Sequence, residues 1–531
     1  MSCSSVARLG ARHSLGASWL TTARRGLSSS SARLESSSSS VDVCVVGGGV
    51  VGTALACALK TSPMTSHLSV MLVDRAPAPT SAWLDHIPDQ PEARVSALTP
   101  ASVALLREVG AWDRIAAAGR PCPFHAMQVW DAKAAGHVRY AASEVGAAEL
   151  GHVVENRVVH TALHEAATRL GVSCPPPAAV SHLNLGDAPG HLATVTLDRA
   201  AAAAAGEAGE TVEVKARLVV GADGARSNVR ALAGLRAPGW RYGLKAVVGT
   251  VTTEAPHTTA WQRFLPGGPL ALLPVGRPDG RMSNVVWTCA PGEADRLAAL
   301  AHDAFAAEVH AALHGEGRYD WSDDGPVGDG PIGRGDAATL ANVAAGGLNG
   351  LQAEVVSRVL APATRLAIAA ATGKTEAAST DESGLVGGPK FESPPRVIGA
   401  SGMKGAFPLA TQHAGRYTLR RLALVGDAAH QVHPLGGQGV NLGIRDARLL
   451  VEALAAAAEA GGDVGSTTTL DRYAVAAARA NLPMMAALDA LQRLFAADAP
   501  LVAWARGAGL AGVNALKPLR QHIAKYAMGG A

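Results

Sequence analysis

The chain has 531 residues, of which 48% are hydrophobic and 17% charged, and its formal net charge is +3 at pH 7. This length allows two or three domains with a sizeable core, and the mild, dispersed basic excess excludes a nucleic-acid-binding surface. The six cysteines form no CxxC pair, no HExxH motif is present, and no long uncharged apolar run occurs, so we expect neither a metal site nor a transmembrane helix.

The first forty residues differ in composition from the rest of the chain. They are rich in serine and contain five arginines: Arg8, Arg12, Arg24, Arg25 and Arg33. No acidic residue precedes Glu35. This composition is typical of a mitochondrial or plastid transit peptide. The alternative is a disordered tail that is not a targeting signal. We therefore expect residues 1–40 to be a transit peptide and a linker.

The first motif follows a short apolar strand at residues 41–46. Three glycines open a helix there with the spacing GxGxxG: Gly47, Gly49 and Gly52. A second strand at residues 70–73 ends in Asp74. Such a strand–helix–strand unit places a dinucleotide pyrophosphate on the helix N-terminus and a ribose on the carboxylate. The alternative is a tight strand–helix turn without a ligand.

The middle of the chain contains helices, strands and two irregular inserts. Thr99 is a suitable N-cap for a helix with Pro100 at its first position, and residues 161–170 favour another helix. Strands of a second sheet are predicted at residues 247–251, 271–274 and 284–288. The alanine-rich residues 200–209 and the polar residues 372–395 are predicted to be irregular, and the second to be a disordered surface loop.

The second and third motifs each follow an apolar strand. The second is Asp223–Gly224 after residues 218–222, which taken alone is an ordinary turn. The third runs from Asp427 through Gly437 and Gly439 to a helix that begins near residue 440. Unobstructed backbone N–H groups in such a glycine-rich turn suit an anion or the N1–C2=O edge of a flavin. From residue 470 onward the chain is predicted to be helical, with breaks near Pro483 and Pro500.

The order GxGxxG, then DG, then GD resembles the single-component FAD-dependent aromatic hydroxylases, which have the para-hydroxybenzoate hydroxylase fold. A narrower resemblance is to the ubiquinone-biosynthesis hydroxylases, in their eukaryotic mitochondrial branch. It is carried by residues 94–100 (RVSALTP), 110–113 (GAWD), 154–156 (VEN), 261–266 (WQRFLP), 271–274 (ALLP), 407–409 (FPL) and 433–441 (HPLGGQGVN). Gly436 departs from the family, which more often has alanine there.

The resemblance implies an α/β fold: a Rossmann-like FAD-binding domain, an interleaved mixed β-sheet substrate domain and C-terminal helices. The FAD-binding domain is expected in three segments, at residues 41–120, 121–235 and 396–470. The substrate sheet is expected at residues 236–395 and the C-terminal helices at residues 471–531. The C-terminal residues 484–528 mix apolar and basic side chains. They either form a docking surface for the inner membrane or a biosynthetic complex, or pack on the flavin domain.

The resemblance also implies roles for individual residues. Gly47, Gly49 and Gly52 would bind the FAD pyrophosphate, and Asp74 would bind the adenosine ribose. Arg94 would reach the phosphate or flavin region, and Asp223 would lie near the pyrophosphate. Asp427 would hold the ribityl chain, and Gly437 and Gly439 would line the flavin ring. A solvated loop arginine is the alternative for Arg94. No catalytic base is assigned, although His413, His430 and His433 are candidates and are more simply read as structural histidines.

The expected activity is hydroxylation of a polyprenylated 4-hydroxybenzoate-derived ring by reduced FAD and O₂, beside the phenol oxygen (C5-type), in ubiquinone biosynthesis. The electron donor is either a ferredoxin with its reductase or NAD(P)H. The family implies a peripheral position on the matrix face of the mitochondrial inner membrane, within a biosynthetic complex. Three alternatives stay open: another flavin-dependent aromatic hydroxylase, a prenyl-lipid reductase or epoxidase of the same fold, and a non-enzymatic protein that binds prenylated partners.

Overall fold

The computed structural model describes residues 39–530, except for residues 135, 187, 189, 200–210, 278–279, 321–387 and 498. Residues 38–531 form one compact unit. The predicted transit peptide, the alanine-rich insert at 200–209 and most of the predicted loop at 372–395 lie outside the described residues. Ser39 and Ser40 were expected in the linker, but they already pair with Val214 and Lys215 as the first residues of a strand.

The first sheet carries all three motifs. Its principal strands, in spatial order, are β16 (Thr418–Leu419), β17 (Leu422–Leu424), β10 (Thr211–Gly221), β1 (Ser39–Val46) and β2 (Val70–Val73). The pairs β17–β10, β10–β1 and β1–β2 are parallel. The carboxyl ends of these four strands therefore meet at one edge, which is where ligands bind in open α/β sheets.

Antiparallel strands and helices complete this half of the molecule. Strands β8 (Ala178–Asn184) and β9 (Ala193–Arg199) extend the sheet beside β10. The helices are α1 (Val50–Thr61), α2 (Pro100–Glu108), α3 (Trp112–Ala117), α4 (Asn156–Arg169), α5 (Asn228–Leu232) and α8 (Gln438–Glu459). Thr99 caps α2 by accepting a hydrogen bond from the Ser102 N–H, and Pro100 is its first residue, as predicted. Strand side chains such as those of Val43 and Val45 are fully buried in the resulting core.

The second sheet is mixed and long. Its strands, in spatial order, are β18 (His430–Gln431), β15 (Val397–His413), β11 (Gly239–Thr253), β14 (Met282–Cys289), β13 (Gly268–Pro274), β12 (Thr259–Leu265), β5 (Ala126–Asp131) and β6 (His137–Ala141). Helices α6 (Pro291–Ala299) and α7 (His302–His314) pack on it through a core that includes the fully buried Phe305. A small third sheet contains β3 (Val95–Leu98), β7 (Gly151–Glu155) and β4 (Cys122–Phe124).

Sheet membership corrects two of the expected domain boundaries. The three strands predicted for the second sheet lie in β11, β13 and β14, as expected. However, β5 and β6 come from the segment 121–235, and β15 comes from the segment 396–470, both of which were assigned to the FAD-binding domain. They join the second sheet because β5 pairs in parallel with β12 and β15 pairs antiparallel with β11. These partners are far away in sequence, so local patterns carry no trace of them.

The end of the predicted disordered loop is packed against the second sheet. Gln128 donates to the Glu392 carbonyl (2.8 Å) and accepts from the Glu392 N–H (3.0 Å). The ring of Phe391 contacts that of Trp130 edge-on at 5.7 Å. The prediction of disorder is therefore wrong for residues 388–395, in which the Glu392 backbone and the Phe391 ring are held by side chains of the neighbouring sheet.

Three helices end the chain: α9 (Thr467–Ala496), α10 (Pro500–Ala515) and α11 (Lys517–Ala527). The predicted break near Pro483 is wrong, since α9 continues through this proline for 30 residues. The inner face of α9 packs on the second sheet, where Phe495 stacks on Phe264 at 3.7 Å. Within the residues that the structure describes, no helix combines the length and apolar character needed to cross a bilayer.

Candidate active site: the FAD cleft

The GxGxxG loop contains two positions that require glycine. Gly47 has φ +113°, and a Cβ there would lie 2.4 Å from the Ala222 carbonyl carbon. At Gly52 a Cβ would lie 1.9 Å from the Gly47 carbonyl oxygen. The loop after β1 is thus pressed against the turn after β10, and any larger residue at either position would separate the first and second motifs.

Gly49, by contrast, faces open space. It is the N-cap of α1, has ordinary backbone angles (φ −71°), and a Cβ there would meet no atom of the described residues within 4 Å. No side chain caps α1 and its first turn holds no acidic residue. The N–H groups of this turn have no partner within the helix and point outward, so the geometry is that of a phosphate cradle.

Asp74 holds this loop to the end of β2. Its Oδ2 accepts a hydrogen bond from the Gly48 N–H at 2.6 Å, and its Oδ1 accepts one from the Ala76 N–H at 2.7 Å. The carboxylate is half-buried at the rim of the cradle. It is therefore placed beside the loop, where the sequence predicts a ribose ligand.

Three side chains that sequence reasoning missed converge on the Gly48 carbonyl oxygen. Thr53 Oγ1 donates to it at 2.9 Å, and the Nε2 atoms of His160 and His164 lie 2.6 and 2.9 Å from it. Since a carbonyl oxygen only accepts, both rings must carry their proton on Nε2. Burial lowers the pKa of His164, which favours the neutral ring. The pair on α4 thus fixes the carbonyl direction in the phosphate loop.

In the second motif the Asp223 carboxylate caps a short helix. Its Oδ2 accepts from the N–H groups of Asn228 (2.7 Å) and Val229 (3.1 Å), and its Oδ1 accepts from Ser227 Oγ at 2.5 Å. The backbone of Asp223 borders Gly47, where its nitrogen would lie 2.7 Å from an added Cβ. This residue therefore shapes the cradle through its turn.

The second and third motifs are tied together by Arg230 of α5. Its guanidinium donates to the Ala428 carbonyl at 2.7 Å and to the Ala225 carbonyl at 2.9 Å. On the other side, Gly426 has φ +58° and would place a Cβ 3.2 Å from Val51 of α1. All three motifs consequently meet around the N-terminus of α1.

Asp427 lies beside Gly426 in the turn after β17, and its side chain is exposed to solvent. Neighbouring protein atoms raise the pKa of its carboxyl by desolvation, while the nearby His430 opposes the rise. A solvent-accessible carboxylate near the point where the three motifs meet is suited to hydroxyl groups of a bound ligand.

Behind Asp427, the fully buried Asp446 of α8 organises the turn. Asp446 Oδ2 accepts from the Gly426 N–H (2.8 Å) and lies 2.6 Å from His430 Nε2, and its Oδ1 accepts from Asn481 Nδ2 (2.8 Å). Burial lowers the pKa of His430, but Asp446 outweighs it and the net shift is upward. The contact with Asp446 therefore favours the protonated ring of His430, and both side chains are buried.

The glycine-rich turn closes the cleft against the third sheet. Gly437 has φ +62°, and a Cβ there would lie 3.2 Å from Ala97 Cβ. Asn441 donates to the Ala97 carbonyl (2.8 Å) and accepts from the Thr99 N–H (3.0 Å). Gly439 lies in the first turn of α8, directly after this turn, and is half-buried. Asn441 therefore fixes the distance between this turn and β3.

The remaining candidates, Arg94 and the histidines, make fewer contacts with the three motifs. The Arg94 side chain is exposed just before β3, and its carbonyl accepts from the Asn156 N–H at 2.9 Å. His433 is buried, its Nδ1 accepts from the Leu435 N–H at 3.2 Å, and burial lowers its pKa to about 4. His413 is half-buried, and burial lowers its pKa as well. With His430 bonded to Asp446, no histidine is identified as a base.

Comparison with known proteins agrees with this geometry. Residues 40–319 and 389–483 match the family described as "FAD binding domain". The mitochondrial ubiquinone biosynthesis monooxygenase COQ6 of Xenopus tropicalis is 33% identical over 97% of this chain and 99% of its own length. The chain belongs to the ubiquinone biosynthesis monooxygenase family of FAD-binding proteins. The expectations of FAD and of this family are therefore confirmed.

Other members of the ubiquinone biosynthesis monooxygenase family show similar agreement. The human COQ6 protein is 31% identical, over 92% of both chains, and the ubiquinone hydroxylase UbiL of Rhodospirillum rubrum is 32% identical over 92% of this chain and 89% of its own. Among solved structures, the p-nitrophenol 4-monooxygenase of Pseudomonas putida aligns with a TM-score of 0.58 over 93% of this chain and 99% of its own, at 18% identity. The last comparison confirms the predicted fold.

Proposed function

We propose that the protein is an FAD-dependent monooxygenase of ubiquinone biosynthesis. It hydroxylates a polyprenylated 4-hydroxybenzoate-derived ring, and the new hydroxyl group is of the C5 type, beside the phenol oxygen. The observation that carries the proposal is the meeting of three distant motifs around one phosphate cradle, in a chain that matches ubiquinone biosynthesis monooxygenases along nearly its whole length. The names of those relatives supply the pathway, and the resemblance to the family supplies the polyprenylated ring as the substrate.

We infer roles for the residues of the cleft from their positions. The pyrophosphate would lie on the N-terminus of α1 beside Gly49, with Gly47 and Gly52 making room for the loop. Asp74 would accept the adenosine ribose hydroxyls, and Asp427 those of the ribityl chain. The flavin ring would lie along Gly437 and Gly439, while the exposed Arg94 would turn towards the phosphate or flavin and Asp223 would hold the neighbouring turn.

The chain's own contribution to the reaction is to bind, orient and shield. FAD, once reduced, supplies the activation of O₂. Ala97, which borders Gly437, belongs to an apolar cluster with Cys122, Val153 and Val275. These side chains provide a water-poor wall beside the expected flavin position, against which an aromatic ring would be held.

The electron donor and the location are parts of the same proposal. The described residues contain one GxGxxG unit that follows a strand, and in this proposal it binds FAD. NAD(P)H or a ferredoxin with its reductase would therefore deliver electrons without a second dinucleotide-binding domain of this kind. The name of the Xenopus relative places that protein in the mitochondrion. We propose the matrix face of the inner membrane for this chain, with peripheral attachment and membership of a biosynthetic complex.

The test is a reconstituted assay with the purified, FAD-loaded chain. A prenylated 4-hydroxybenzoate analogue is incubated with O₂ and either NADPH or a ferredoxin with its reductase, and products are identified by mass spectrometry. We expect a singly hydroxylated ring with one donor. Oxidation of the tail, or reduction of a double bond, would instead support an epoxidase or reductase, and a protein that binds no FAD would refute the enzyme altogether.

A further inference from the structure

Helix α9 has two faces of different character. Its inner face is buried by Tyr473, Ala477, Met484, Leu488 and Phe495, which pack on the first sheet, α8 and the second sheet. Asn481 on the same face donates to Asp446 behind the FAD cleft. The inner face therefore stabilises the fold, whereas the opposite face makes none of these packing contacts.

The outer face of α9 is apolar over most of its length. Its large apolar side chains are well exposed: Val475 (51%), Leu482 (47%), Leu491 (41%) and Leu494 (40%). Between them lie the small apolar residues Ala486, Ala487 and Ala490, which are also exposed. An apolar surface of this extent on one helix is unusual for a surface that faces only water and indicates an interaction site.

The charges on this face are mostly positive. From residue 472 to residue 496 the exposed charged side chains are Arg472, Arg479 and Arg493, and one exposed acidic residue, Asp471, precedes them. The acidic residue in this range, Asp489, is turned aside: it accepts from Tyr242 (3.0 Å) and Arg493 (2.7 Å), and its side chain is 16% exposed. The surface is therefore apolar with a basic rim.

An aromatic residue extends the surface onto the second sheet. Trp240 of β11 is 47% exposed, and the Arg493 guanidinium lies 5.3 Å from the centre of its ring. Exposed leucines, arginines with apolar stems and a tryptophan at the edge are the side chains that enter the interface of a lipid bilayer.

We propose that this surface, made of Val475, Leu482, Leu491, Leu494, Trp240 and the three arginines, docks on an anionic lipid bilayer. The basic rim is complementary to anionic head groups, and the leucines would enter the acyl boundary. The inference rests on the proposed function in one respect: a polyprenylated substrate resides in the bilayer, and docking here brings β11 of the second sheet to it.

The test is co-sedimentation with vesicles of phosphatidylcholine alone or with one-fifth cardiolipin. A chain that begins at Ser38 is used, because residues 38–531 form one compact unit and the arginine-rich leader would itself bind anionic lipid. The variant Leu482→Gln/Leu491→Gln/Leu494→Gln is compared with Ile398→Gln/Met403→Gln, which changes exposed apolar residues on β15. Bound flavin absorbance shows that each variant is folded.

We expect the unmodified chain to bind the anionic vesicles more tightly than the neutral ones. The triple variant should lose at least about tenfold in partition coefficient, since each leucine contributes apolar burial, while the β15 control should bind like the unmodified chain. Arg472→Gln/Arg479→Gln should lose about tenfold on anionic vesicles and little on neutral ones.

Three results would overturn the assignment. One is equal binding by the triple variant and the unmodified chain, and another is an equal loss in the β15 control. The third is self-association abolished by the triple variant with vesicle binding intact, which would make the surface a dimer interface. Hydroxylation of a soluble short-tailed analogue is measured in parallel: its absence with vesicle binding preserved would refute the proposed reaction while the docking surface stands.

Discussion

Gly49 borders the expected FAD site, and the protein's own packing does not require a glycine at this position. Gly49→Ala adds a methyl group at ordinary backbone angles, where none of the residues that the structure describes has an atom within 4 Å. The apo protein should therefore keep its stability to within about 1 kcal/mol. The methyl group would occupy the approach of the pyrophosphate, so we expect the Kd for FAD to rise at least about tenfold in a fluorescence titration.

The matched control is Gly292→Ala. Gly292 also lies in the first turn of a helix, α6, and an added Cβ there meets no atom within 4 Å. This variant should bind FAD like the unmodified chain. Unchanged affinity in Gly49→Ala would mean that the pyrophosphate does not lie on the N-terminus of α1.

His430 and Asp446 give the protein a pH-dependent stability. The pKa of His430 is raised in the fold, so the pair's contribution is full below the unfolded pKa of about 6.5 and is lost as pH rises through the folded value. His430→Gln should cost about 3–5 kcal/mol of unfolding free energy at pH 6, because it leaves a buried carboxylate without its cation. The deficit should shrink at higher pH.

Urea unfolding of both proteins between pH 6 and pH 9 measures this difference directly. Glu293→Gln, which alters an ion pair on the partly exposed face of α6, is a suitable control and should give a difference that hardly changes between these pH values. A His430→Gln deficit that stays constant, or grows with pH, would contradict an imidazolium–carboxylate pair.

Sequence patterns predicted the glycines and the acidic residues of the three motifs, because each stands next to a strand end with a recognisable spacing. They did not reveal His160 and His164, which act from a helix more than 100 residues away from Gly48, or Asp446, which acts from the helix that follows the third motif. One signal was available: Asp446 is a carboxylate on an otherwise apolar face of α8. Its partners, however, follow only from the tertiary structure.

At the scale of elements, Arg506 of α10 connects two parts of the fold. It forms a buried ion pair with Asp131 at the end of β5, and it donates to the carbonyls of Leu494 (3.0 Å) and Ala497 (3.1 Å) at the end of α9. Arg506→Met should lower the free energy of unfolding by about 3–5 kcal/mol, since it leaves Asp131 charged and buried.

The double variant Asp131→Asn/Arg506→Met separates the charge from the helix cap. Removing both charges should recover part of the loss in urea unfolding, and the remainder measures the carbonyls left without donors. A double variant as unstable as the sum of the two single variants would show that the two charges are not coupled.

Elements with strong local signals were predicted well, including β1, α1, β2, the capped start of α2 and the strands β11, β13 and β14. The assignments of β5, β6 and β15 were wrong because sheet membership depends on distant partners. Pro483 misled for a different reason. The packed inner face of α9 on both sides of it outweighs the loss of one backbone hydrogen bond.

At the scale of the whole molecule, three parallel strands of the first sheet, β1, β10 and β17, are each followed by one of the three motifs. The motifs therefore lie at the same edge of the sheet. The second sheet is built mainly from the chain between these strands, so FAD and substrate would meet at the junction of the two sheets. The proposed docking surface on α9 and β11 lies on the outer side of the helix whose inner side holds Asn481 against Asp446.

The most direct test of this account is incorporation of ¹⁸O from ¹⁸O₂ into a prenylated 4-hydroxybenzoate analogue by the FAD-loaded, chemically reduced protein in a single turnover. We predict one labelled oxygen on the aromatic ring for each flavin reoxidised. Complete reoxidation that yields only labelled hydrogen peroxide, with an unchanged ring, would contradict the account.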